Sequence, residues 1–307
     1  MSTIEGFLEA PYLSADSLHK RLGGTEVVRG VSLAVRPGEV VGFLGPNGAG
    51  KTTTLKMILG LVVPDSGSVR IAGRDPFRDP HSLAQVGAVL EGNRNLYWRL
   101  SALENLEYFG VLKGLTRRAA RERGLSLLER FGLEGRARSP AGSLSRGMQQ
   151  KLALSIALVH DPKALILDEP TLGLDYESAL EVESLVLQAA QAGKAILLTS
   201  HEMSLMERVS TRTVILRAGQ VVADSSAAEL GRIYRHAYVI GLEAEPDPAR
   251  REQLVQLGAE VSGGEVRCEG TQLWQVLETL KPLPLSYVRS EGSSLAEVFL
   301  KVIQGEK

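Results

Sequence analysis

The sequence predicts an α/β fold built on a largely parallel sheet, followed by a small α+β module. Three observations carry that prediction. From Leu18 to about Leu230, strand-like and helix-like stretches alternate, the succession that builds a parallel sheet with crossover helices. Three short runs, residues 40–44, 164–167 and 195–199, are apolar throughout or nearly so, as strands buried on both faces must be. After about Ile233 the pattern changes to strand, helix, two strands, helix, strand, the order of a ferredoxin-like module.

Taken in order, residues 28–35 and 68–72 read as antiparallel strands of a smaller β-rich region. Residues 40–44 form a Val-rich strand that runs into a Gly-rich turn. Residues 51–61 then have helical spacing, with Leu55, Ile58 and Leu59 on one face. Residues 103–112 and 117–131 read as helices of an inserted helical subdomain at about residues 92–160. Residues 178–192, rich in Ala, Leu and Glu, form a helix between two buried strands. The larger domain spans residues 1–232 and the accessory module residues 233–307. In that module, residues 236–242 are a strand and 248–257 a helix. Residues 259–269 are either one bent strand or a hairpin turning at Gly263 and Gly264. Residues 271–280 are helical, 285–289 a strand and 294–303 a last amphipathic helix.

Composition narrows the function classes. The 307 residues are 44% hydrophobic, with a formal net charge of −1. That balance makes no electrostatic case for nucleic acid or anionic lipid as a partner. A single cysteine, Cys268, excludes an internal disulfide and fits a reducing cytosol, where it fills a strand. The first residues, with Glu5 and Glu9, lack the basic head and apolar run of a signal peptide. No stretch approaches the roughly 18 apolar residues of a membrane helix, so any membrane span is expected from another chain.

The chemistry begins at Gly45, Pro46, Asn47, Gly48, Ala49, Gly50, Lys51, Thr52 and Thr53. This is the phosphate-loop pattern, lying between a predicted strand and a predicted helix. Glycines allow the backbone to wrap closely, so that successive N–H groups face phosphate oxygens. The helix adds its positive end. Lys51 is expected to reach the β- and γ-phosphates, and Thr52 to bind Mg²⁺ through its hydroxyl.

A second element is the apolar run 165–167 ending in Asp168 and Glu169. Carboxylates at the C-terminal end of a buried strand fall beside the phosphate site. Asp168 is suited to hold Mg²⁺, directly or through water, and Glu169 to orient and deprotonate the attacking water. A third element is Leu144, Ser145, Arg146, Gly147, Met148, Gln149 and Gln150, opening an apolar-periodic helix. Ser beside Gly at a helix N-terminus is either a plain cap or a second anion site.

Together, residues 45–53, 144–149 and 165–169, with His201 behind the strand 195–199, resemble the ABC ATPase family over roughly residues 18–230. The resemblance implies a P-loop NTPase core with an antiparallel β subdomain and an inserted helical subdomain. It implies ATP and Mg²⁺ as ligands and a head-to-tail homodimer of ATPase domains. Ser145, Arg146, Gly147, Met148 and Gln149 would then contact the ATP held by the partner chain. His201 resembles the switch histidine that meets the γ-phosphate, and Asp175, after Gly173 and Leu174, resembles the residue of the dimer seam. Two positions depart from the family pattern. Glu91 stands where Gln is usual, as a further metal-side candidate. Leu22 stands where an aromatic normally stacks on adenine.

The resemblance further implies a separate transmembrane permease subunit and a place at the cytoplasmic face of the membrane. Residues 93–100, with Tyr97 and Trp98 among basic residues, are either a contact surface or local packing. The tail 293–301 is similar to that of ABC-2 type drug-export ATPases, which tilts the expectation from import to export. The alternatives are an importer ATPase, or a non-transport ABC ATPase acting on soluble machinery. Nothing in the sequence names the cargo.

Overall fold

The structure is a computed structural model that describes residues 10–90, 96–226 and 237–291. The chain divides into two compact units, Met1–Asp224 and Ser225–Lys307. The expected boundary at residues 232 and 233, the segment 93–95, Glu91 and the expected helix 294–303 lie outside the described residues.

In the first unit, β1 (Leu13–Leu22), β2 (Thr25–Val35) and β4 (Ser66–Ile71) form an antiparallel sheet of order β2-β1-β4. β1 was not marked by sequence pattern, and its bulge explains why. Leu13, Ala15 and Leu18 are buried, so the inward alternation breaks after Ala15, where the register shifts and Ser17 takes a positive φ of 47°.

The second sheet has six strands in the order β5-β6-β7-β3-β8-β9. They are β3 (Val40–Leu44), β5 (Val86–Val89), β6 (Ala164–Asp168), β7 (Ala195–Thr199), β8 (Arg212–Arg217) and β9 (Gln220–Ser226). The pairs from β5 through β8 are parallel. Every residue of β3, β6 and β7 is buried, which is why these strands read as unbroken apolar runs.

Helix α1 (Lys51–Ile58) ends earlier than its periodicity predicts. Gly60 adopts φ 69°, its N–H reaches Met57 O (3.0 Å), and Leu61 N reaches Lys56 O (2.9 Å). That is a Schellman motif, which only a left-handed residue can close. Phe43, Leu55, Met57, Ile58, Ile166 and Leu197 share one buried core with Leu13, Leu18 and Ile71 of the antiparallel sheet, so α1 is clamped by both sheets.

Helices α2 (Ala102–Leu112), α3 (Arg117–Arg130) and α4 (Arg146–Leu158) lie between β5 and β6 in sequence. Each starts on a side-chain cap: the Ser101/Glu104 capping box, Thr116 and Ser145. α5 (Tyr176–Gln191) and α6 (Met203–Val209) complete the unit. Among the described residues no helix is long and apolar enough to cross a membrane.

The second unit contains β10 (Ala237–Leu242), α7 (Pro248–Gln256), β11 (Glu260–Ser262), β12 (Glu265–Glu269), α8 (Leu273–Leu280) and β13 (Leu285–Glu291). Its sheet is antiparallel, in the order β11-β12-β10-β13. β11 and β12 are a hairpin through Gly263 and Gly264, both at positive φ, which decides between the two readings of residues 259–269. Ile240, Leu254, Val266, Cys268, Val276 and Leu280 form its core. Burial pushes the Cys268 thiol pKa up and leaves it inert packing.

Candidate active site

In the larger sheet β7 lies between β6 and β3. The parallel register sets Asp168 beside Thr199 and Phe43 beside Thr199. The carboxyl ends of the three strands therefore meet, and the segments leaving them are gathered at one point.

After β3 comes the phosphate loop. A Cβ on Gly45 would stand 2.5 Å from the Leu216 carbonyl oxygen on β8, so only glycine lets the chain leave the sheet there. Gly50 is the N-cap of α1 at φ 103°, and no side chain caps the helix. The first turn of α1 also carries no acidic residue. Its positive end thus faces the loop, an arrangement that favours an anion. Lys51 Nζ folds back over the loop and donates to Gly45 O (2.6 Å) and Pro46 O (3.2 Å).

After β6 come the acids. Asp168 is 2% exposed, and both its oxygens take hydroxyl protons, Oδ1 from Thr199 (2.5 Å) and Oδ2 from Thr52 (3.3 Å). Glu169 turns at φ 51°, a left-handed backbone uncommon for a residue with a Cβ. Its N–H is shared between Thr199 O (3.1 Å) and Thr199 Oγ1 (3.2 Å). After β7 comes His201, whose backbone N–H donates to Glu169 Oε2 (3.2 Å) and whose Nδ1 lies 2.9 Å from the same oxygen.

This group matches what a phosphoanhydride and a hard cation need. Among the described residues no cluster of three or more acidic, His or Cys side chains could cage a metal. Mg²⁺ characteristically takes one or two protein oxygens and fills the rest with phosphate and water, and Thr52 with Asp168 offers that set. Glu169, held by His201, is a carboxylate placed beside the same end of the sheet.

The remaining candidates fall elsewhere. Ser145 is the N-cap of α4, its hydroxyl accepting from Met148 N (3.3 Å). Gly147 and Arg146 pack beside residues 174 and 173: an added Cβ on Gly147 would lie 3.5 Å from Leu174 Cδ2, and one on Gly173 would lie 3.8 Å from Arg146 Cδ. Gln149 turns inward and donates to Leu144 O (3.0 Å) and Ala141 O (3.3 Å), so its side chain holds its own loop. Asp175 is the N-cap of α5, accepting from Ser178 N (2.8 Å); that bond holds its carboxyl below the usual carboxylate range. Leu22 is 48% exposed at the tip of the β1–β2 hairpin. Glu91 lies outside the described residues.

Thr199 is not singled out by sequence, and Gln150 enters there only as the end of the run 144–150. Thr199 joins Asp168 to Glu169, yet a Thr closing an apolar strand carries no motif of its own. Gln150, buried in α4, donates to Pro170 O (2.9 Å) and so ties that helix to the segment behind Glu169.

Tyr97 is both packed and open, and Trp98 is half-exposed beside it. Buried Asn105 accepts from Tyr97 N (2.8 Å) and donates to the carbonyls of Tyr97, Leu100 and Ser101. Tyr97 packs edge-on against Tyr108 at 4.8 Å. Tyr97 and Trp98 nevertheless remain 48% and 50% exposed.

Comparison with known proteins bears on the family and the fold. Residues 28–172 match the ABC transporter family. The chain is 37% identical to the Nod factor export ATP-binding protein I of Burkholderia orbicola over 93% of this chain and 95% of that protein. It is 36% identical to the linearmycin resistance ATP-binding protein LnrL of Bacillus subtilis over 71% and 70% of the two chains. Among solved structures, the ATP-binding subunit of an ABC transporter superposes with a TM-score of 0.69 at 32% identity, covering 73% of this chain and 93% of that one. One chain of a dimeric post-hydrolysis cassette structure bound to ADP and phosphate superposes at 0.64 with 26% identity, covering 70% and 98%.

Proposed function

This chain belongs to the family of ABC transporter ATP-binding proteins, and from that premise we propose that it is the ATPase that drives export through a separate membrane subunit. The observation that carries the reading is the convergence of Lys51, Thr52, Asp168, Glu169 and His201 at the carboxyl ends of three adjacent strands.

The residues divide the work of phosphoryl transfer, which is mostly positioning and charge stabilisation. The loop 45–53 and the uncapped end of α1 hold the triphosphate, with Lys51 supplying positive charge. Thr52 and Asp168 hold Mg²⁺, which, when bound, neutralises charge on the transferring phosphate. Glu169 is an acceptor-only group when ionised, suited to orient water and take its proton. The chain carries a single phosphate loop and a single signature segment, so a homodimer is the simplest way to complete each site. Ser145, Arg146, Gly147 and Met148 then face the partner's nucleotide, and Asp175 borders the seam. The inward turn of Gln149 supports a role in shaping that segment in place of direct contact. Leu22 offers adenine an aliphatic surface, and Glu91, by its place in the family pattern alone, is a further metal-side candidate.

Export is supported by whole-length relatives named for export and resistance, and a place at the membrane surface by the need for a permease. The test is capture from native membranes with the Glu169→Gln variant and Mg-ATP, which holds the closed dimer. Recovery of a polytopic membrane protein is expected. Recovery of ribosomes or soluble factors alone would overturn the transport reading and leave the ATPase untouched.

A further inference from the structure

We propose that Thr199 is a positioning residue for hydrolysis: its single hydroxyl sets the metal-side carboxylate and the general base at once. The proposal rests on the roles given above to Asp168 and Glu169.

Thr199 is the last residue of β7 and is fully buried. Parallel pairing places it directly beside Asp168. Its Oγ1 donates to Asp168 Oδ1 (2.5 Å) and accepts the Glu169 N–H (3.2 Å). A threonine hydroxyl has one proton and two lone pairs. Because Asp168 is a carboxylate and Glu169 offers an N–H, the proton must point to Asp168 and a lone pair to Glu169. The hydroxyl has no other arrangement that satisfies both neighbours, and β-branching restricts the χ1 that carries it.

With Oδ1 of Asp168 taken in this way, Oδ2 is the oxygen turned to Thr52 (3.3 Å) and to the nucleotide side. The left-handed backbone of Glu169, at φ 51°, is held by a three-centre bond from its N–H to Thr199 O and Oγ1. That turn sends the Glu169 side chain back toward His201 (2.9 Å). Groups that orient metal ligands in this way typically change metal affinity or activity by about 10- to 100-fold when removed.

The test compares wild type, Thr199→Val, which keeps shape and loses the hydroxyl, Thr199→Ser, which keeps the hydroxyl, and Glu169→Gln. Steady-state kcat and KM for ATP are measured alongside calorimetric ATP binding, with Mg²⁺ and with EDTA. Thr199→Val is expected to lower kcat by about 10- to 100-fold and to weaken only the Mg²⁺-dependent part of ATP binding. Thr199→Ser should restore both. If Val is not accommodated, Thr199→Cys, a weak donor, serves the same comparison. Wild-type behaviour of Thr199→Val overturns the proposal, as does a Ser variant as impaired as Val, which would make the residue mere packing. Normal turnover of Glu169→Gln would instead overturn the reading of the base, while the Mg²⁺-dependent binding still reports on Thr199 and Asp168.

Discussion

His201 Nδ1 lies 2.9 Å from Glu169 Oε2, although the two residues are 32 positions apart and come after different strands. An ionised carboxylate only accepts, so Nδ1 carries a proton and Nε2 is the nitrogen left for a ligand. On the proposed reading, Glu169 is thereby fixed by a group that also meets the nucleotide. Glu169→Gln is expected to lower phosphate release by about 10²- to 10⁴-fold, the usual worth of a general base, with ATP binding retained. Single-turnover phosphate release and equilibrium nucleotide binding check the two halves, and normal turnover would falsify the assignment.

The two glycines Gly45 and Gly48 should respond differently to a methyl group. At Gly45 the Cβ meets backbone, the Leu216 carbonyl at 2.5 Å, which cannot step aside. Gly45→Ala is expected to destabilise the protein by about 1–3 kcal/mol. Gly48 has open space but φ 78°, so Gly48→Ala should lose only about 1 kcal/mol of backbone preference. Urea unfolding midpoints of the two variants test the order.

His160 gives stability a dependence on pH. Burial, with the Lys113 charge behind it, lowers its pKa from 6.5 to about 4. A depressed histidine pKa means that the unfolded chain binds the proton more readily. The associated stability is present above about 6.5 and is lost as pH falls toward about 4. Unfolding midpoints at pH 7 and 4.5 should differ less in His160→Gln than in wild type. Equal differences would show that His160 does not contribute.

Asn105 holds the turn that bears the two open aromatics. Its buried amide oxygen accepts from Tyr97 N, and its two N–H protons are shared among the carbonyls of Tyr97, Leu100 and Ser101. Asn105→Ala leaves the Tyr97 N–H and those carbonyls without the amide, which should lower stability by about 1–3 kcal/mol. Hydrogen exchange at residues 97–101 is expected to rise in that variant, while that of β6 and β7 stays as it was.

Much of this molecule was legible in its residue order because the relevant signals are local. The phosphate loop is one contiguous stretch between a strand and a helix, and β3, β6 and β7 are apolar at nearly every position because they are buried on both faces. Asp168 and Glu169 were readable from their place at a strand end. What escaped depends on neighbours remote in sequence. β1 hides behind a bulge. α1 ends at a left-handed glycine that interrupts continuing apolar periodicity. β8 and β9 were not picked out, although they complete the sheet beside β3. The inward turn of Gln149 and the bridge from Thr199 depend on where carbonyls and carboxylates of other segments fall. The sequence by itself marked the groups proposed to hold phosphate and metal. Only the tertiary structure decided which oxygen of Asp168 each hydroxyl takes and that His201 grips Glu169, because parallel pairing, not spacing along the chain, brings the ends of β6 and β7 together.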